Sequence, residues 1–327
     1  METRKVTPTG LLVLSVDAPR EAWLAERKNG ITATDLPKIL GLSRYGTAID
    51  VWTSKLDPEV DPLELGIGKN EAAFWGVEFE DVVARAWAQD RGVTIRRVGI
   101  IANASNPWQR ASLDRLITNC PHGKCALEVK TRSTYKGDDW ENGVPAEELA
   151  QVEWQLLVSG LDHIHVAALI GGQKLRSHVV EASTVNAERL VTPARIVWDS
   201  VSSGIAPKLP EENWSSEYLE QLHETREGDV EVDTETMLTA TAYEEVTQQI
   251  SVLEERKAEL RLKLIGALGD AETASWNGTP IYSYKSSTRK SLNSKKLAEL
   301  FPQVSEDERL YTVSTTKTLR VSTKKES

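Results

Sequence analysis

Thiols are scarce in this 327-residue chain, which contains only two cysteines, Cys120 and Cys125. A secreted disulfide framework needs several cysteine pairs, so the sequence indicates a reducing compartment. An iron–sulfur cluster held by four thiolates is excluded within one chain. His122 lies between the cysteines, but three metal-ligating residues within six positions, without a fourth nearby in sequence, predict a hairpin turn rather than a structural zinc site.

Long hydrophobic runs are also missing. No stretch of eighteen or more apolar residues occurs, and the short apolar segment at residues 10–16 continues into polar sequence without a small-residue cleavage site. We therefore expect neither a membrane span nor an export signal, and we expect a cytoplasmic location.

Positive charge is in deficit, with 39 Lys and Arg against 49 Asp and Glu and a net charge of −10. Such a balance argues against a protein that coats nucleic acid through bulk charge. The charge is uneven, because residues 277–327 contain ten basic and five acidic residues, a net +5, which leaves −15 for residues 1–276. A nucleic-acid partner would therefore have to meet local basic surfaces or metal ions.

Two common catalytic signatures are missing as well. The chain has no Gly-Lys-Ser/Thr loop for cradling phosphates, and its five histidines show no His-Glu-x-x-His spacing. ATP-driven helicase action is therefore not expected.

What the chain does have is a succession of helix and strand patterns. Apolar spacing predicts helices from Glu71 to Asp90 and from Glu147 to Val158, and Thr34 is a predicted N-cap of a short helix ending at Gly41. Runs of β-branched and apolar residues predict strands at residues 93–102, 111–117, 126–131, 163–172 and 175–182. This order predicts an α/β (α+β) fold with a central mixed sheet flanked by helices.

A Pro-rich acidic stretch at residues 207–214 predicts a domain boundary. We expect a core at residues 1–212, a linker at 213–232 and a C-terminal helical and β extension at 233–327. Within the extension, heptad-like spacing from Tyr243 to Ala267 predicts a long helix that packs on a partner helix or forms a coiled coil.

The pattern Glu-x-Lys occurs three times, but only Glu128 and Lys130 fall within a predicted strand. Strand alternation puts both side chains on one face. Antiparallel pairing across the Cys120 hairpin would bring Asp114 opposite Glu128. Charged groups on an inner strand are costly unless something binds them, and Mg²⁺ favours carboxylate and carbonyl oxygens. Asp114, Glu128 and the Val129 carbonyl are therefore predicted metal ligands.

Other side chains extend this set. Lys130 would orient or deprotonate a metal-bound water and stabilise charge on a phosphate. Glu80 shares a helix stripe with apolar residues and is a further predicted acid, while Gln151 and Gln155, one turn apart, are suited to holding phosphate or water. An ordinary ion pair of Glu128 with Lys130, with scattered surface acids, is the alternative.

Six segments in this order resemble the phage recombination exonucleases of the lambda exonuclease and YqaJ type, a branch of the PD-(D/E)XK nucleases. They are W-x-x-x-R-x-x-G-I-T-A-T-D (23–35), L-G-L-S-R-Y (40–45), W-G-V-E-F-E (75–80), A-S-L-D (111–114), L-E-V-K-T (127–131) and A-Q-V-E-W-Q-L (150–156). The resemblance implies a restriction-endonuclease-like core.

It also implies roles. Glu80, Asp114 and Glu128 become metal-site acids, with Glu80 acting through water, Lys130 the catalytic lysine and Gln151 an active-site glutamine. Arg27 and Thr34 match positions that grip a terminal 5′ phosphate. One departure is the sequence Ser-Leu-Asp-Arg where the family usually has Ser-Pro-Asp-Gly, which affects the turn at Asp114.

The implied activity is a Mg²⁺-dependent deoxyribonuclease, with Mn²⁺ as a substitute, that resects double-stranded DNA ends 5′ to 3′ for phage-type recombination. The implied partners are duplex DNA ends and a single-strand annealing protein, and a homo-trimer is implied by analogy. A phage gene would place the protein in the host cytoplasm. An endonuclease on the same fold and a catalytically silent DNA-binding or assembly protein remain alternatives.

Overall fold

The computed structural model of the chain describes residues 4–56, 70–223, 228–286, 288 and 294–305. Most of the predicted loop at 57–70, and the predicted basic tail beyond residue 305, lie outside these ranges. The chain divides into two units, Met1–Arg226 and Glu227–Ser327.

The strands within the described ranges are β1 Arg4–Lys5, β2 Gly10–Leu14, β3 Ile95–Arg96, β4 Ile100–Asn103, β5 Arg110–Ser112, β6 Arg115–Ile117, β7 Cys125–Arg132, β8 His163–Ile170, β9 Lys174–Glu181, β10 Thr273–Trp276 and β11 Thr279–Ser283. The α-helices are α1 Arg20–Arg27, α2 Leu36–Ile39, α3 Ala48–Leu56, α4 Glu71–Arg91, α5 Ala146–Ser159, α6 Ala187–Ser203, α7 Ser216–Leu222, α8 Thr234–Leu268, α9 Ser294–Leu300 and α10 Pro302–Ser305.

A five-stranded sheet in the order β3-β6-β7-β8-β9 forms the centre of the first unit. Strands β7 and β8 run parallel, with Glu128 beside Val166, and the other neighbours are antiparallel. A second, antiparallel sheet has the order β1-β2-β4-β5. The predicted central mixed sheet flanked by helices is confirmed.

Alternation along β7 separates the two faces of the central sheet. Cys125, Leu127 and Val129 belong to an apolar cluster with Val83 and Trp87 of α4. Ala126 belongs instead to the larger cluster that contains the buried side chains of α5. Because Glu128 and Lys130 share the parity of Ala126, they lie on the face covered by α5.

The two predicted long helices of the first unit, α4 and α5, end where glycines allow it. Helix α4 begins after Asn70, whose side chain accepts a hydrogen bond from the Ala73 N–H at 3.3 Å, and it ends at Gly92 with φ 63°. Helix α5 ends at Gly160 with φ 66°. Left-handed backbone at these positions favours glycine. Both helices agree with the prediction to within a residue or two.

The predicted strands at 93–102 and 111–117 are each wrong as single strands. The first divides into β3 and β4, which belong to different sheets. At the break a Cβ on Gly99 would collide with the Leu14 carbonyl, so only glycine permits this close approach to β2. The second divides into β5, paired with β4, and β6, paired with β7. Asp114 therefore lies in a bend between two sheets.

The predicted N-cap at Thr34 is also wrong. Helix α2 has only four residues and its N-cap position is Asp35. The Asp35 carboxylate accepts hydrogen bonds from the Thr32 N–H at 2.8 Å and from the buried Lys55 ammonium at 2.7 Å. Because Lys55 needs a buried counter-charge, Asp35 faces the interior, while Thr34 is exposed.

Helix α7 falls within the predicted linker at 213–232. Its Tyr218 is buried, and the Tyr218 hydroxyl donates to the Pro207 carbonyl at 2.7 Å. The first unit therefore includes α7, and the exact domain boundaries stay a prediction.

In the second unit the long predicted helix is present as α8, with 35 residues. It begins after Asp233, whose side chain accepts from the Thr236 N–H. The heptad side chains Val246, Ile250 and Leu253 are each at least half exposed, and the predicted helical partner stays a prediction. No helix in the described parts of the chain is both long and apolar enough to cross a membrane.

Candidate active site

Glu128 and Lys130 lie side by side on the α5 face of β7. The Lys130 ammonium donates to Glu128 Oε1 at 2.6 Å. The Glu128 side chain is only 3% exposed and that of Lys130 14%. A buried acid and base in contact on the central strand agree with the predicted arrangement, and their catalytic roles stay a prediction.

Two glutamines of α5 surround the Glu128 carboxylate. Gln151 donates to Glu128 Oε1 at 2.7 Å and accepts from the Lys130 ammonium at 2.9 Å. Gln155 donates to Glu128 Oε2 at 2.8 Å and to the Ser112 carbonyl at 2.9 Å. The two residues are one helical turn apart, so a single face of α5 fixes the orientation of Glu128.

Asp114 lies next to this group. Pairing of Arg115 with Leu127 puts Asp114 opposite Glu128, as the hairpin pattern predicts. Asp114 Oδ2 accepts the Val129 N–H at 2.7 Å. Burial, followed by the negative charges of Glu128 and Glu80, raises the pKa of Asp114 well above its usual range. The site therefore concentrates negative charge that a cation would compensate.

Glu80 reaches the site from α4 and contacts Arg115, whose guanidinium donates to Glu80 Oε1 at 2.5 Å and to the Asp114 carbonyl at 2.6 Å. The same guanidinium bonds Asp81 at 3.0 Å. Arg115 is 3% exposed, and the sequence does not single it out as a site residue. The only signal in the sequence is its place directly after Asp114.

The donor set suits a hard divalent cation. Asp114, Glu128 and Glu80 offer carboxylate oxygens, which Mg²⁺ prefers. Gln155 Oε1 is buried and has no hydrogen-bond donor among the described residues, so it can accept from a metal-bound water. The predicted Val129 carbonyl ligand stays a prediction, since the observed contact of Val129 with Asp114 uses its N–H.

Arg27 and Thr34 are brought together in a separate part of the same unit. The Arg27 guanidinium donates to the Thr34 hydroxyl at 2.8 Å, lies 3.7 Å from Asp35 and stacks on Trp23. Because Asp35 is neutralised mainly by Lys55 at 2.7 Å, Arg27 retains donors for an anion. Phosphate binding by this pair stays a prediction.

Strand β5 connects the two places. The Arg110 N–H donates to the Ile31 carbonyl at 2.9 Å, and two residues further the Ser112 carbonyl accepts from Gln155. The segment that carries Arg27 and Thr34 is therefore attached to the strand that leads into Asp114.

The structure also corrects the expectation that no fourth metal ligand lies near the cysteines. Cys120, Cys125, His163 and His165 converge, with one ligating atom from each lying within 4.8 Å of the others. His122 is not part of this group. The spacing His-x-His in a predicted strand was the available signal, but only the pairing of β7 with β8 brings it to the cysteines.

Two solved exonuclease structures are distantly similar to this chain. An alkaline exonuclease, LHK-Exo, from Laribacter hongkongensis aligns at 16% identity with a TM-score of 0.47, covering 56% of this chain and 93% of that one. A phage-related exonuclease from Haemophilus somnus 129PT aligns at 12% identity with a TM-score of 0.38, covering 54% of this chain and 96% of that one.

Sequence comparison finds greater similarity than the solved structures do. Residues 22–162 match the model of the YqaJ-like viral recombinase domain. The uncharacterized protein YqaJ of Bacillus subtilis (strain 168) is 29% identical over 307 residues, which cover 90% of this chain and 92% of that protein. The predicted resemblance to the YqaJ type is confirmed, and the matched span contains every residue predicted for the site.

Proposed function

We propose that this relative of YqaJ is a metal-dependent deoxyribonuclease that degrades double-stranded DNA from its ends during phage-type recombination. The observation that carries the proposal is the contact of Lys130 with the buried Glu128, beside a second carboxylate, Asp114, whose pKa is raised by burial and by the neighbouring acids. A structural ion pair alone does not require Asp114 at this position.

The acids would hold the cation. Asp114 and Glu128 would hold it directly and Glu80 would act through water, with Mg²⁺ as the proposed metal and Mn²⁺ as a substitute. When bound, the ion supplies Lewis-acid polarisation of a phosphoryl oxygen and an acidified water. The Val129 carbonyl is proposed as a further ligand, because it follows Glu128 on the same strand.

Lys130 would act on the reacting groups. Its ammonium donates to both Glu128 and Gln151, so its position is fixed before substrate binds. From there it orients the attacking water and stabilises the charge that develops on the phosphate. Gln151 is proposed to hold Lys130 in this orientation, and Gln155, with its spare buried acceptor, to position the water.

We propose 5′-to-3′ polarity and place the terminal 5′ phosphate at Arg27 and Thr34. Arg27 offers a planar fork of donors, and a terminal phosphate has more free oxygens and more charge than an internal phosphodiester. The support is the 2.8 Å contact of the two side chains and the attachment of their segment to β5.

Resection of one strand leaves single-stranded DNA, so a single-strand annealing protein is the proposed partner. A homo-oligomer, with a trimer as the first candidate, is proposed from the resemblance to lambda-type exonucleases.

Incubation of linear and covalently closed circular duplexes with Mg²⁺ tests the activity. We expect the linear duplex to release mononucleotides and the closed circle to stay intact. Linearisation of the circle would favour the endonuclease alternative, and no cleavage of either substrate would favour a silent DNA-binding protein.

A further inference from the structure

Four side chains with metal-ligating atoms meet at the start of β7, on the sheet face that α4 covers. They are Cys120, Cys125, His163 and His165. His163 Nε2 lies 3.5 Å from Cys120 Sγ and 3.2 Å from His165 Nε2. The proposed nuclease centre uses none of them, and its carboxylate Glu128 lies on the opposite face of β7.

The sheet topology creates this convergence. Parallel pairing sets Cys125 beside His163 and Leu127 beside His165. Since side chains two apart on a strand share a face, Cys125 and both histidines project to the same side. Residues 43 apart in sequence, Cys120 and His163, thereby come into contact.

The turn before β7 brings in the second thiol. Gly123 has φ 120°, a conformation that side chains disfavour, and a Cβ there would lie 2.5 Å from Asp162 Oδ2. Two hydrogen bonds attach this turn to Asp162. The Asp162 carboxylate accepts from the Lys124 N–H at 2.7 Å, and the Asp162 N–H donates to the Lys124 carbonyl at 2.8 Å. Cys120 is thus held over the sheet near Cys125.

The distances agree with a tetrahedral zinc site. Bonds of about 2.3 Å to sulfur and 2.0–2.1 Å to nitrogen, at tetrahedral angles, place sulfur and nitrogen roughly 3.6 Å apart and two nitrogens roughly 3.3 Å apart. The observed separations are 3.5 Å and 3.2 Å. All four ligating atoms lie within 4.8 Å of one another, which a hydrogen-bonded pair alone does not require.

The burial and the free thiols of this four-residue cluster also agree with a zinc site. Cys125 is 1% exposed and His163 3%, and the His165 ring lies 5.0 Å from the Trp87 ring. Both cysteines are free thiols. Soft sulfur and imidazole donors favour zinc over the hard cations that carboxylates prefer.

We propose that Cys120, Cys125, His163 and His165 bind one zinc ion as a closed structural site. Binding releases the two thiol protons, and two thiolates balance the charge of Zn²⁺. Four protein ligands leave no open position for substrate. The ion would tie the β6–β7 turn to the start of β8 and so fix β7, the strand that carries Glu128 and Lys130.

Metal analysis of the purified full-length chain tests the proposal. We expect one zinc per chain, lost in Cys120→Ser and in His165→Asn. His122→Asn is the matched control, because His122 lies in the same turn and outside the ligand group, and it should keep the zinc. Glu128→Gln should also keep it, which separates this site from the carboxylate centre and makes the result independent of nuclease activity.

Cobalt provides a second readout that needs no variant. Co²⁺ added to the reduced, metal-free parent should give sulfur-to-cobalt charge-transfer absorption and tetrahedral d–d bands, both removed by Zn²⁺, and zinc should raise the melting temperature. A parent that holds no more zinc than Cys120→Ser, or a cobalt spectrum without thiolate bands, would overturn the proposal. If a variant fails to fold, the parent's cobalt titration decides alone.

Discussion

The Asp114 carboxylate accepts a hydrogen bond from the Val129 N–H at 2.7 Å, which joins the bend before β6 to strand β7. This contact anchors an acid in a bend between two sheets, directly opposite Glu128. Asp114 is held there although burial and the neighbouring acids raise its pKa. An arrangement that is unfavourable for folding and fixed by the backbone is typical of a functional site.

Asp114→Asn should separate activity from stability. Asparagine still accepts the Val129 N–H but carries no negative charge, so the repulsion with Glu128 disappears and the free energy of unfolding should not fall. Cleavage should fall by about 100-fold or more, since a proposed metal ligand is lost. Urea unfolding measures stability and a nuclease assay in Mg²⁺ measures cleavage. Unchanged cleavage would contradict the assignment of Asp114 to the metal site.

Lys130→Ala should lower kcat strongly and change KM little, because the ammonium is proposed to act mainly in the transition state. A fall of about 100-fold is expected for the loss of one such donor. Lys257→Ala is the matched control, because it alters the Glu-x-Lys pattern of the exposed helix α8 and should leave kcat unchanged. A rise in KM alone for Lys130→Ala would make Lys130 a binding residue.

The pair of Asp35 and Lys55 predicts a pH-dependent contribution to stability. Burial opposes ionisation of Asp35, but the charges of Lys55 and Arg27 outweigh it and lower the pKa of Asp35 to about 2. The usual value is about 3.9. This stabilisation is therefore complete above about pH 4 and is lost as the pH falls through 2.

Lys55→Met removes the main partner of Asp35 and should cost about 3 kcal/mol at pH 7. The double variant with Asp35→Asn should recover part of that loss, because no uncompensated charge remains. Urea unfolding of the three proteins at pH 7 and near pH 3 measures this. A loss for Lys55→Met that is equally large at both pH values would contradict the electrostatic explanation.

Arg27→Ala should abolish a preference for 5′-phosphorylated ends. The test compares degradation rates of duplexes with 5′-phosphate and 5′-hydroxyl ends for the parent, for Arg27→Ala and for Arg20→Ala, a control on the same helix. The parent and Arg20→Ala should favour the phosphate, while Arg27→Ala should degrade both ends at the same reduced rate. Equal degradation rates on both ends in the parent would contradict the proposed 5′-phosphate site.

Local patterns were sufficient for the long elements of the fold. Helices α4 and α5 and strands β7 to β9 have clear periodicity, and glycines mark the ends of both helices, so their positions could be predicted. The splitting of two strands could not, because it depends on which sheet each half joins, as the close approach of Gly99 to Leu14 illustrates.

The residues of the candidate sites also divide into those that short-range patterns predict and those that depend on tertiary structure. Glu128, Lys130 and Asp114 follow from strand alternation and one hairpin, both short-range features. Arg115 was not predictable, because its partner Glu80 lies 35 residues away on a helix whose rotation the sequence leaves open. The histidines near Cys120 depend on parallel pairing of β7 with β8, which no local pattern specifies.

The most direct test of the proposed function is the release of nucleotides from linear duplex DNA by the parent and by Glu128→Gln, each with Mg²⁺ and with EDTA. Glu128→Gln keeps the side-chain shape and removes the charge that is proposed to bind the metal. Mg²⁺-dependent release by the parent, reduced about 100-fold or more in the variant, is predicted. Undiminished release by Glu128→Gln, or release by the parent in EDTA, would contradict it.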